Sequence, residues 1–493
     1  MVVGTTSHAG KSLLVTAICR ILSRRGWRVA PFKGQNMALN AYVTANGAEI
    51  GYAQAVQSWA AGVLPQAEMN PVLLKPQGDT TSQVIIKGRP VGKTTAADYY
   101  EKYFNTGWQA VQESLARLSQ DFDLLVCEGA GSPAEINLKH RDLANMRIAK
   151  TLNAPTILVA DIDRGGVFAH IVGTLELLDP DERALIKGIV INKFRGQKSI
   201  LQPGIDWLEE RTGIPVIGVV PWLDSSLPAE DSLSLMDRPV VKQNAELNIA
   251  VIRLPRISNF TDFDPLEAEP SVNVRYLGPK DNLGHPDAVL LPGTKTAIAD
   301  LLILQRTGMA EAIQNYAAAG GTVLGICGGF QLMGQMLADP EGLEGQEGRF
   351  RGLSILPLRT VITQNKVARQ RSVSSKFPQE GLPVNGYEIH HGRTQLVVTP
   401  EGNEAGPQFQ PIFDDRSLGI VDETQSLWGT YLHGIFDNGP WRRAWLNRLR
   451  QQRGLKSLPT GIANHRERRD TMLNDLANTV EQYIDLDPIL AQT

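Results

Sequence analysis

The sequence is poor in cysteine, has no long apolar segment and carries almost no net charge. The three cysteines among 493 residues (Cys19, Cys127 and Cys327) are odd in number and far apart, which excludes a disulfide framework and fits a reducing compartment. With 49 basic and 52 acidic residues, the net charge of −3 gives no reason to expect nucleic acid or an anionic membrane as a partner. No apolar run reaches the ~18 residues of a spanning helix, and polar residues interrupt the N-terminus from Gly4 onward, unlike a signal peptide. A cytoplasmic protein without nucleic-acid or membrane partners follows.

The length and the order of apolar patterns predict two domains. Apolar runs typical of buried strands alternate with amphipathic helix patterns along both halves of the chain, which is typical of doubly wound parallel sheets. We therefore expect an α/β fold with a phosphate-loop NTPase-like domain at 1–225, a linker at 226–246 that begins within a Pro-, Ser- and Asp-rich stretch, a second, flavodoxin-like domain at 247–440 and a helical extension at 441–493. The arginine-rich part of that extension, 441–455, is predicted to be a solvated helix face rather than a nucleic-acid patch, because acids are interspersed.

Eleven apolar runs are predicted to be strands. They are 1–3, 29–32, 84–86, 124–127, 156–160, 188–191 and 216–220 in the first half, and 247–252, 288–291, 322–324 and 428–436 in the second. The first run is unusually short, so we expect the strand to begin a few residues upstream of this numbering. Cys19 lies on an apolar helix face and Cys127 ends a strand, so both are expected to be packing residues.

A glycine-rich loop follows the first run. The order of strand, glycine-rich loop, Lys-Ser and helix over residues 4–12 is that of a phosphate loop, with one residue more between the glycines than the standard spacing. In such loops backbone N–H groups wrap the phosphates, the lysine reaches the β- and γ-phosphates, and the serine hydroxyl can ligate Mg²⁺. The predicted ATP-binding residues of this loop are Gly4, Thr5, Thr6, Gly10, Lys11 and Ser12.

Polar residues also follow later strands, where ligands of parallel sheets bind. Glu128 is predicted to ligate Mg²⁺ together with Ser12 and Glu49. Asn192 carries an amide that suits an adenine edge, with a turn-forming role as the alternative. A third group either caps the following helix or contacts substrate, and the sequence leaves both open: Asp161, Asp163 and Arg164.

Two polar stretches, 32–40 and 73–83, fit no general scaffold role. Turn chemistry alone would favour Asn, Asp and Gly, whereas these stretches are rich in Gln, Asn and Lys. Such side chains suit a large substrate that bears many carboxylates and amides. The substrate contacts predicted here are Gln35, Asn36, Asn40, Lys75 and Asp79.

The second domain is organised around Cys327, in the segment Gly-Ile-Cys-Gly-Gly-Phe-Gln at 325–331. A cysteine between glycines at a strand-to-helix turn sits on a sharp bend that pushes the sulfur outward. The helix N-terminus favours a thiolate there, and free backbone N–H groups can hold an oxyanion. His433 ends an apolar run before a glycine, a place that suits a base facing the cysteine.

The pattern G-x-C-x-G-x-Q resembles the nucleophile motif of class I glutamine amidotransferases. This resemblance implies that Cys327 attacks glutamine, that His433 is the base, and that Gly293 and Gly328 supply the oxyanion N–H groups. Ordinary members carry Glu two residues after the histidine, where this chain has Ile435.

The group that orients the imidazole is therefore open. Glu388 is a candidate, and a structural or substrate-contact role for Glu388 is the alternative.

The two polar stretches, the phosphate loop and the segments 128–132 and 161–166 together resemble the cobyric acid synthase family, whose first domain is similar to dethiobiotin synthetase. The resemblance implies that carboxylates b, d, e and g of adenosylcobyrinic acid a,c-diamide are amidated through an acyl phosphate, with ammonia from glutamine. ATP, Mg²⁺, glutamine and a corrinoid are the expected ligands, and the oligomeric state is not indicated. Two alternatives stay open: a cobyrinic acid a,c-diamide synthase, and a phosphate-loop regulatory ATPase with a silent amidotransferase domain.

Overall fold

The structure, a computed structural model, describes residues 1–78, 80–223, 242–397, 409–424 and 426–493. The predicted linker at 226–246 thus lies mostly outside the described residues. The strands of the first half are β1 (Val2–Gly4), β2 (Val29–Phe32), β3 (Gln35–Met37), β4 (Ala41–Val43), β5 (Glu49–Gly51), β6 (Val72–Pro76), β7 (Thr81–Ile86), β8 (Arg89–Thr95), β9 (Leu124–Cys127), β10 (Thr156–Asp161), β11 (Ile186–Phe194) and β12 (Val216–Pro221). Its helices are α1 (Lys11–Arg24), α2 (Tyr52–Ala60), α3 (Ala96–Asp121), α4 (Met146–Leu152), α5 (Val167–Leu177), α6 (Pro180–Arg183) and α7 (Lys198–Thr212).

The first domain is built on a parallel sheet in the order β2-β9-β1-β10-β11-β12. Its two parts, β2-β9 and β1-β10-β11-β12, are joined by a bridge between Val2 and Glu128. Every residue of β10 is buried, as expected for a strand covered by helices on both faces. The phosphate loop leaves the carboxyl end of β1, the edge at which such sheets bind ligands. The mixed sheet β3-β6-β7-β8 carries most of the two polar stretches, and the hairpin β4-β5 follows the first of them.

The described part of the second half contains eleven strands, and seven of them form one sheet. Its strands are β13 (Leu247–Ile252), β14 (Val272–Leu277), β15 (Ala288–Leu291), β16 (Thr322–Ile326), β17 (Met336–Asp339), β18 (Gly348–Arg351), β19 (Leu358–Ser374), β20 (Pro383–Leu396), β21 (Phe409–Pro411), β22 (Gly419–Asp422) and β23 (Leu427–Thr430). Its helices are α8 (Asp264–Glu267), α9 (Ala297–Thr307), α10 (Met309–Ala318), α11 (Gly328–Leu332), α12 (Gly439–Gln452), α13 (His465–Glu481) and α14 (Asp487–Leu490). The sheet order is β14-β13-β15-β16-β23-β22-β21, parallel up to β23 and antiparallel beyond it. The predicted α/β fold class is confirmed.

The last predicted strand was too long. The sequence predicted a strand over 428–436, but β23 ends at Thr430. The Thr430 hydroxyl accepts the N–H of Leu432 (3.0 Å), and Gly434 turns the chain with a φ of 74°. His433 therefore lies in a loop beyond the sheet edge rather than on a strand.

A long antiparallel arm, β19 and β20, connects the two domains. It lies in a separate sheet with β17 and β18 and reaches the β4-β5 hairpin of the first domain. Tyr387 of the arm packs in a small apolar cluster with Ala41, Val43 and Leu73, and its hydroxyl donates to the Ala41 carbonyl (3.2 Å). The first domain is thus held against the second.

The C-terminal helices return to the first domain. Leu473, Ala477 and Val480 of α13 are buried in the same core as Leu14 of α1. The N–H of Asp485 donates to the carbonyl of Ile217 in β12 (2.8 Å). Apolar burial, which no local pattern revealed, thus ties the two ends of the chain together.

The prediction of a solvated arginine face on α12 was wrong. Arg442 and Arg443 are buried, and both bind the buried carboxylate of Glu269 (2.9 and 2.6 Å). Arg450 is likewise buried and pairs with Glu246 (2.6 Å). The partners lie about 170 to 200 positions away along the chain, so local charge spacing carried no sign of them.

Cys19 and Cys127 are packing residues, as predicted. Both are buried in the first domain. Burial raises the pKa of the Cys127 thiol to about 11 and moves the pKa of Cys19 still higher, so neither is a nucleophile at neutral pH. Among the described helices, none is both long and apolar enough to cross a membrane.

Candidate active site

Cys327 occupies a strained turn between β16 and α11. Its φ of 52° and ψ of −108° are unusual for a residue with a side chain. The flanking glycines are required by space: a Cβ at Gly329 would lie 2.0 Å from the Leu291 carbonyl oxygen, and one at Gly325 would lie 2.7 Å from the Gly329 carbonyl. The Cys327 sulfur lies 3.4 Å from the carbonyl oxygen of Ile389 on β20. Close packing of the elbow against β15 therefore fixes the sulfur at the sheet edge.

His433 reaches the same cleft and is paired with Asp262. The His433 Nδ1 lies 2.7 Å from Asp262 Oδ2, and the Gly434 N–H donates to the other carboxylate oxygen (2.8 Å). The Tyr387 ring stacks on the imidazole at a centroid distance of 5.3 Å. Burial alone would lower the pKa of His433, but the charges of Asp262 and Cys327 outweigh burial and raise it to about 10. His433 is thus an imidazolium at neutral pH.

Asp262 is the functional residue that sequence reasoning missed. It sits in a short 3₁₀ turn (Phe260–Phe263) beyond the carboxyl end of β13. The signal that could have found it is the rule that ligand sites in such sheets lie beyond the carboxyl ends of the strands. Glu388, the candidate for orienting the imidazole, is instead ion-paired with Arg369 (2.9 Å) and Arg371 (3.6 Å). That candidate role for Glu388 was wrong.

Gly293 and Gly328 stand on two turns that meet beside the sulfur. A Cβ at Gly293 would lie 3.1 Å from His433 Cε1, and one at Gly328 would lie 2.8 Å from the Thr294 nitrogen. Within the described ranges of the chain, neither glycine N–H has a hydrogen-bond acceptor. The structure therefore brings both predicted oxyanion donors to the cleft with free N–H groups.

The cleft around Cys327 is lined by residues of both domains. Lys75 comes from β6 of the first domain, and Lys366 comes from the arm. Both bind the buried carboxylate of Glu49, Lys75 at 2.7 Å. Burial would raise the pKa of Glu49, but the two ammonium groups hold it well below its usual range.

Glu49 therefore faces the second domain. Its carboxylate oxygens bind Lys75 and Lys366, and its role as a Mg²⁺ ligand together with Ser12 and Glu128 stays a prediction. The hairpin β4-β5 directs Glu49 toward the arm, and the two lysines supply its countercharge.

The phosphate loop holds its functional groups in place. Gly10 has a φ of 98°, which only glycine adopts readily. The Lys11 ammonium donates to the carbonyls of Thr6 (3.0 Å) and Gly131 (2.8 Å) and so lies within the loop. The Ser12 hydroxyl donates to Glu128 Oε1 (2.8 Å). The arrangement is that of a phosphate site with a hydroxyl and a carboxylate at its edge.

Each of the two sites lies in a domain that matches a known protein family. The family model described as "CobQ/CobB/MinD/ParA nucleotide binding domain" matches residues 1–234, and that described as "CobB/CobQ-like glutamine amidotransferase domain" matches 248–441. The chain is 74% identical over 490 residues to the cobyric acid synthase of Nostoc sp. (strain PCC 7120 / SAG 25.82 / UTEX 2576), covering 99% of each chain. The chain belongs to the cobyric acid synthase family. Other members are those of Nostoc punctiforme (72% identity, 100% of this chain and 99% of the relative) and Synechococcus elongatus (66%, 99% of each).

Membership of this family confirms the resemblance drawn from the motifs. The protein is an enzyme with a nucleotide-binding domain and a glutamine amidotransferase domain. Of the three functions that the sequence left open, the cobyric acid synthase type is the one that the relatives share over the full length of the chain.

The donor set at Ser12 and Glu128 fits Mg²⁺. Hydroxyl and carboxylate oxygens are the hard donors that this ion prefers, and Mg²⁺ commonly takes one or two protein ligands, with phosphates and water completing the shell. Elsewhere in the described part of the chain, no three His, Cys, Asp or Glu side chains gather as a larger metal site would need. Lys33 and Gln57 also donate to Glu128 (2.8 and 2.5 Å), which keeps the buried carboxylate compensated.

Asn192 and the threonines lie at the phosphate loop. The Asn192 amide donates to the Ala9 carbonyl (2.8 Å), and a Cβ on Gly10 would lie 2.0 Å from its nitrogen. Here the amide positions the loop, and adenine recognition by it stays a prediction. The Thr5 hydroxyl is buried without a partner in the residues described, as a group awaiting a phosphate oxygen would be.

The described substrate candidates of the two polar stretches contact other protein groups. Gln35 accepts the Tyr99 hydroxyl (2.6 Å), and Asn36 donates to Gln54 (2.9 Å). The side-chain Oδ1 of Asn40 accepts the N–H of Phe260 (3.2 Å), two residues from Asp262, so Asn40 joins the domains. Lys75 lines the Cys327 cleft. Asp79 lies outside the described residues.

The acidic segment after β10 forms an ion-pair cluster. Asp161 binds Lys193 (2.8 Å) and lies 3.8 Å from Arg164, while Asp163 binds Arg195 (3.1 Å). Neither carboxylate caps α5, whose N-cap residue is glycine, so the capping alternative was wrong. The cluster lies at the carboxyl edge of the sheet, where a substrate contact stays a prediction.

Proposed function

We propose that the protein amidates carboxylates b, d, e and g of adenosylcobyrinic acid a,c-diamide, giving adenosylcobyric acid, with ATP and glutamine as co-substrates. The observation that carries this proposal is that one chain of the cobyric acid synthase family holds both a Cys–His–Asp cleft and a phosphate loop with a Ser–Glu pair. The first suits release of ammonia, and the second suits activation of a carboxylate. The name of the relatives, cobyric acid synthase, supports a corrinoid substrate.

In the cleft, Cys327 attacks the carboxamide carbon of glutamine. The carbon–nitrogen bond breaks as His433 gives its proton to the leaving nitrogen, and a thioester forms. The N–H groups of Gly293 and Gly328 donate to the oxyanion. Water then hydrolyses the thioester, which frees glutamate and the thiol. Asp262 keeps the imidazole oriented and stabilises its charge, as the carboxylate of a catalytic triad does.

At the phosphate loop, Lys11 and the backbone N–H groups position ATP. An oxygen of the substrate carboxylate attacks the γ-phosphorus, the bond to ADP breaks, and an acyl phosphate forms. Ser12 and Glu128 would hold Mg²⁺, which supplies neutralisation of the phosphate charge. Ammonia then attacks the acyl carbon, and inorganic phosphate leaves.

Ammonia must reach the acyl phosphate unprotonated, so a path shielded from water is expected between the two sites. Lys75 of the first domain lines the Cys327 cleft, and Asn40 touches the turn that carries Asp262. These contacts support a short path across the domain interface.

The test is product analysis. The enzyme is incubated with adenosylcobyrinic acid a,c-diamide, ATP, Mg²⁺ and glutamine, and we expect a product with four carboxylates converted to amides. Two conversions, on cobyrinic acid instead, would identify a cobyrinic acid a,c-diamide synthase, and ATP hydrolysis without amidation would identify a regulatory ATPase.

Cys327→Ser separates the half-reactions. It should abolish glutamine-dependent amidation while ammonium salts still support the reaction, and Cys19→Ala, a control at a packing cysteine, should keep both. Loss of both activities in Cys327→Ser alone would contradict separable sites.

A further inference from the structure

Three lysines line the Cys327 cleft, and one of them makes no ion pair with the described residues. Lys75 and Lys366 share the carboxylate of Glu49. The ammonium of Lys295 makes no ion pair and no hydrogen bond within the part of the chain that the structure describes. The residue is nonetheless 8% exposed. A buried, unpaired ammonium that borders a substrate cleft points to an anion that the substrate brings.

The position of Lys295 is fixed by the turn that also supplies an oxyanion donor. It follows Gly293 by two residues, so their Cα atoms are at most about 7.6 Å apart. Its own N–H donates to the carbonyl of Arg256 (3.0 Å), and the preceding Thr294 packs against Gly328 beside the sulfur. Lys295 is thus close enough to the reacting atoms for a molecule of the size of glutamine to reach both.

The charges around Lys295 agree with this reasoning. Burial, together with the charges of the neighbouring Lys366 and Lys75, lowers the pKa of Lys295 to about 7, and the attraction of Glu344 and Glu49 only partly opposes this. Glu344, which also lines the cleft, has a pKa raised by burial to about 7. The protein therefore supplies too little negative charge for three lysines, and an incoming carboxylate would complete the balance.

We propose that Lys295 binds the α-carboxylate of glutamine and so selects α-amino acid amides for hydrolysis at Cys327. Of the cleft lysines, it alone is not neutralised by Glu49. The inference rests on the proposed glutamine hydrolysis and adds the group that recognises the far end of that substrate. Lys295 acts on binding rather than on the carbon–nitrogen bond itself.

The test compares glutamine with 4-aminobutanamide, which is glutamine without its α-carboxylate. Ammonia release is measured with the full-length enzyme in the presence of ATP, Mg²⁺ and the corrinoid. In Lys295→Met, kcat/KM for glutamine should fall about 10- to 100-fold, the effect of losing one charge-assisted hydrogen bond, mostly through KM. The value for 4-aminobutanamide should stay within about threefold, because that substrate has no carboxylate to lose.

Two variants serve as controls. Lys295→Arg keeps the charge and should recover part of the glutamine activity. Lys280→Met removes an exposed lysine of the same domain and should leave kcat/KM unchanged for both substrates. Alkylation of Cys327 by iodoacetamide and amidation from ammonium salts should be unchanged in Lys295→Met, which verifies that the elbow and the ligase site are intact.

An equal loss of kcat/KM for both substrates would overturn the proposal, since it would mean that Lys295 stabilises the oxyanion or maintains the fold. No loss for glutamine would also overturn it. Should Lys295→Met not fold, the wild-type enzyme decides: it must prefer glutamine over 4-aminobutanamide at least about 10-fold in kcat/KM. A wild-type enzyme that releases no ammonia from glutamine would instead refute the proposed function.

Discussion

Asp262→Asn should strongly lower kcat for glutamine hydrolysis and leave ammonium-dependent amidation at the ligase site unchanged. The carboxylate lies 2.7 Å from His433 Nδ1 and is itself 3% exposed, so its charge acts on the imidazolium through a dry environment. The asparagine has nearly the same shape and volume. The substitution therefore removes the charge while leaving the packing of the 3₁₀ turn intact.

The magnitude follows from the pKa of His433. Its rise from 6.5 to about 10 corresponds to about 5 kcal/mol at 1.36 kcal/mol per pKa unit. Asp262 is one of the two neighbours that cause the rise, so its removal takes away part of the stabilisation of the imidazolium. A loss of about 3 kcal/mol in the transition state corresponds to a fall in kcat on the order of 10²-fold. An amide can also turn its NH₂ toward His433 and favour the wrong tautomer, which costs about 10⁴-fold in the serine protease triad. We expect a fall in kcat of about 10²- to 10⁴-fold.

The assay measures glutamate release against pH, with ammonium-dependent amidation followed in parallel. The imidazolium of wild-type His433 persists until the pH rises through about 10, so the alkaline limb should lie there. Because loss of a negative neighbour lowers the pKa of His433, the limb should move to lower pH in Asp262→Asn. Asp281→Asn, in an exposed loop of the same domain, is the matched control. A kcat within about threefold of wild type, or an unmoved alkaline limb, would refute the reasoning.

Two further predictions concern buried carboxylates. Glu128→Gln leaves Ser12 without its charged partner and should lower ATP-dependent amidation from ammonium salts about 10²-fold, with the largest loss at low Mg²⁺, measured by ADP release over a Mg²⁺ titration. Glu269→Gln leaves Arg442 and Arg443 buried without a negative charge and should destabilise the second domain by about 3 kcal/mol, measured as a lower urea midpoint of tryptophan fluorescence.

Each of these variants has a control at an exposed glutamate. Glu135→Gln lies in the same segment as Glu128, and Glu311→Gln lies on α10 of the second domain. Both should behave as wild type. Unchanged ADP release in Glu128→Gln at every Mg²⁺ concentration would contradict its predicted role, and an unchanged midpoint in Glu269→Gln would mean that the buried pair contributes nothing.

Much of the fold could be predicted because its signals are local. Parallel strands buried on both faces are continuous apolar runs, and glycines mark the turns at their ends. The strands β10 and β13 and the elbow at Cys327 could therefore be predicted from the sequence. The length of the last strand was not, because Gly434 and the Thr430 hydroxyl end it through turn geometry that an apolar run conceals. The return of α13 onto α1 was hidden for another reason: a helix pattern gives its apolar face but not the surface that the face covers.

The sequence by itself determined which side chains can do chemistry: a cysteine on a strained elbow and a lysine and serine in a phosphate loop, since backbone geometry over a few residues sets their reactivity. Tertiary structure alone decided how the charges pair. Asp262 meets His433 across 171 positions, and Glu49 meets Lys366 across 317. Electrostatic partners are chosen by distance in space within a low-dielectric interior, and that distance is fixed only when the two domains and the arm have packed.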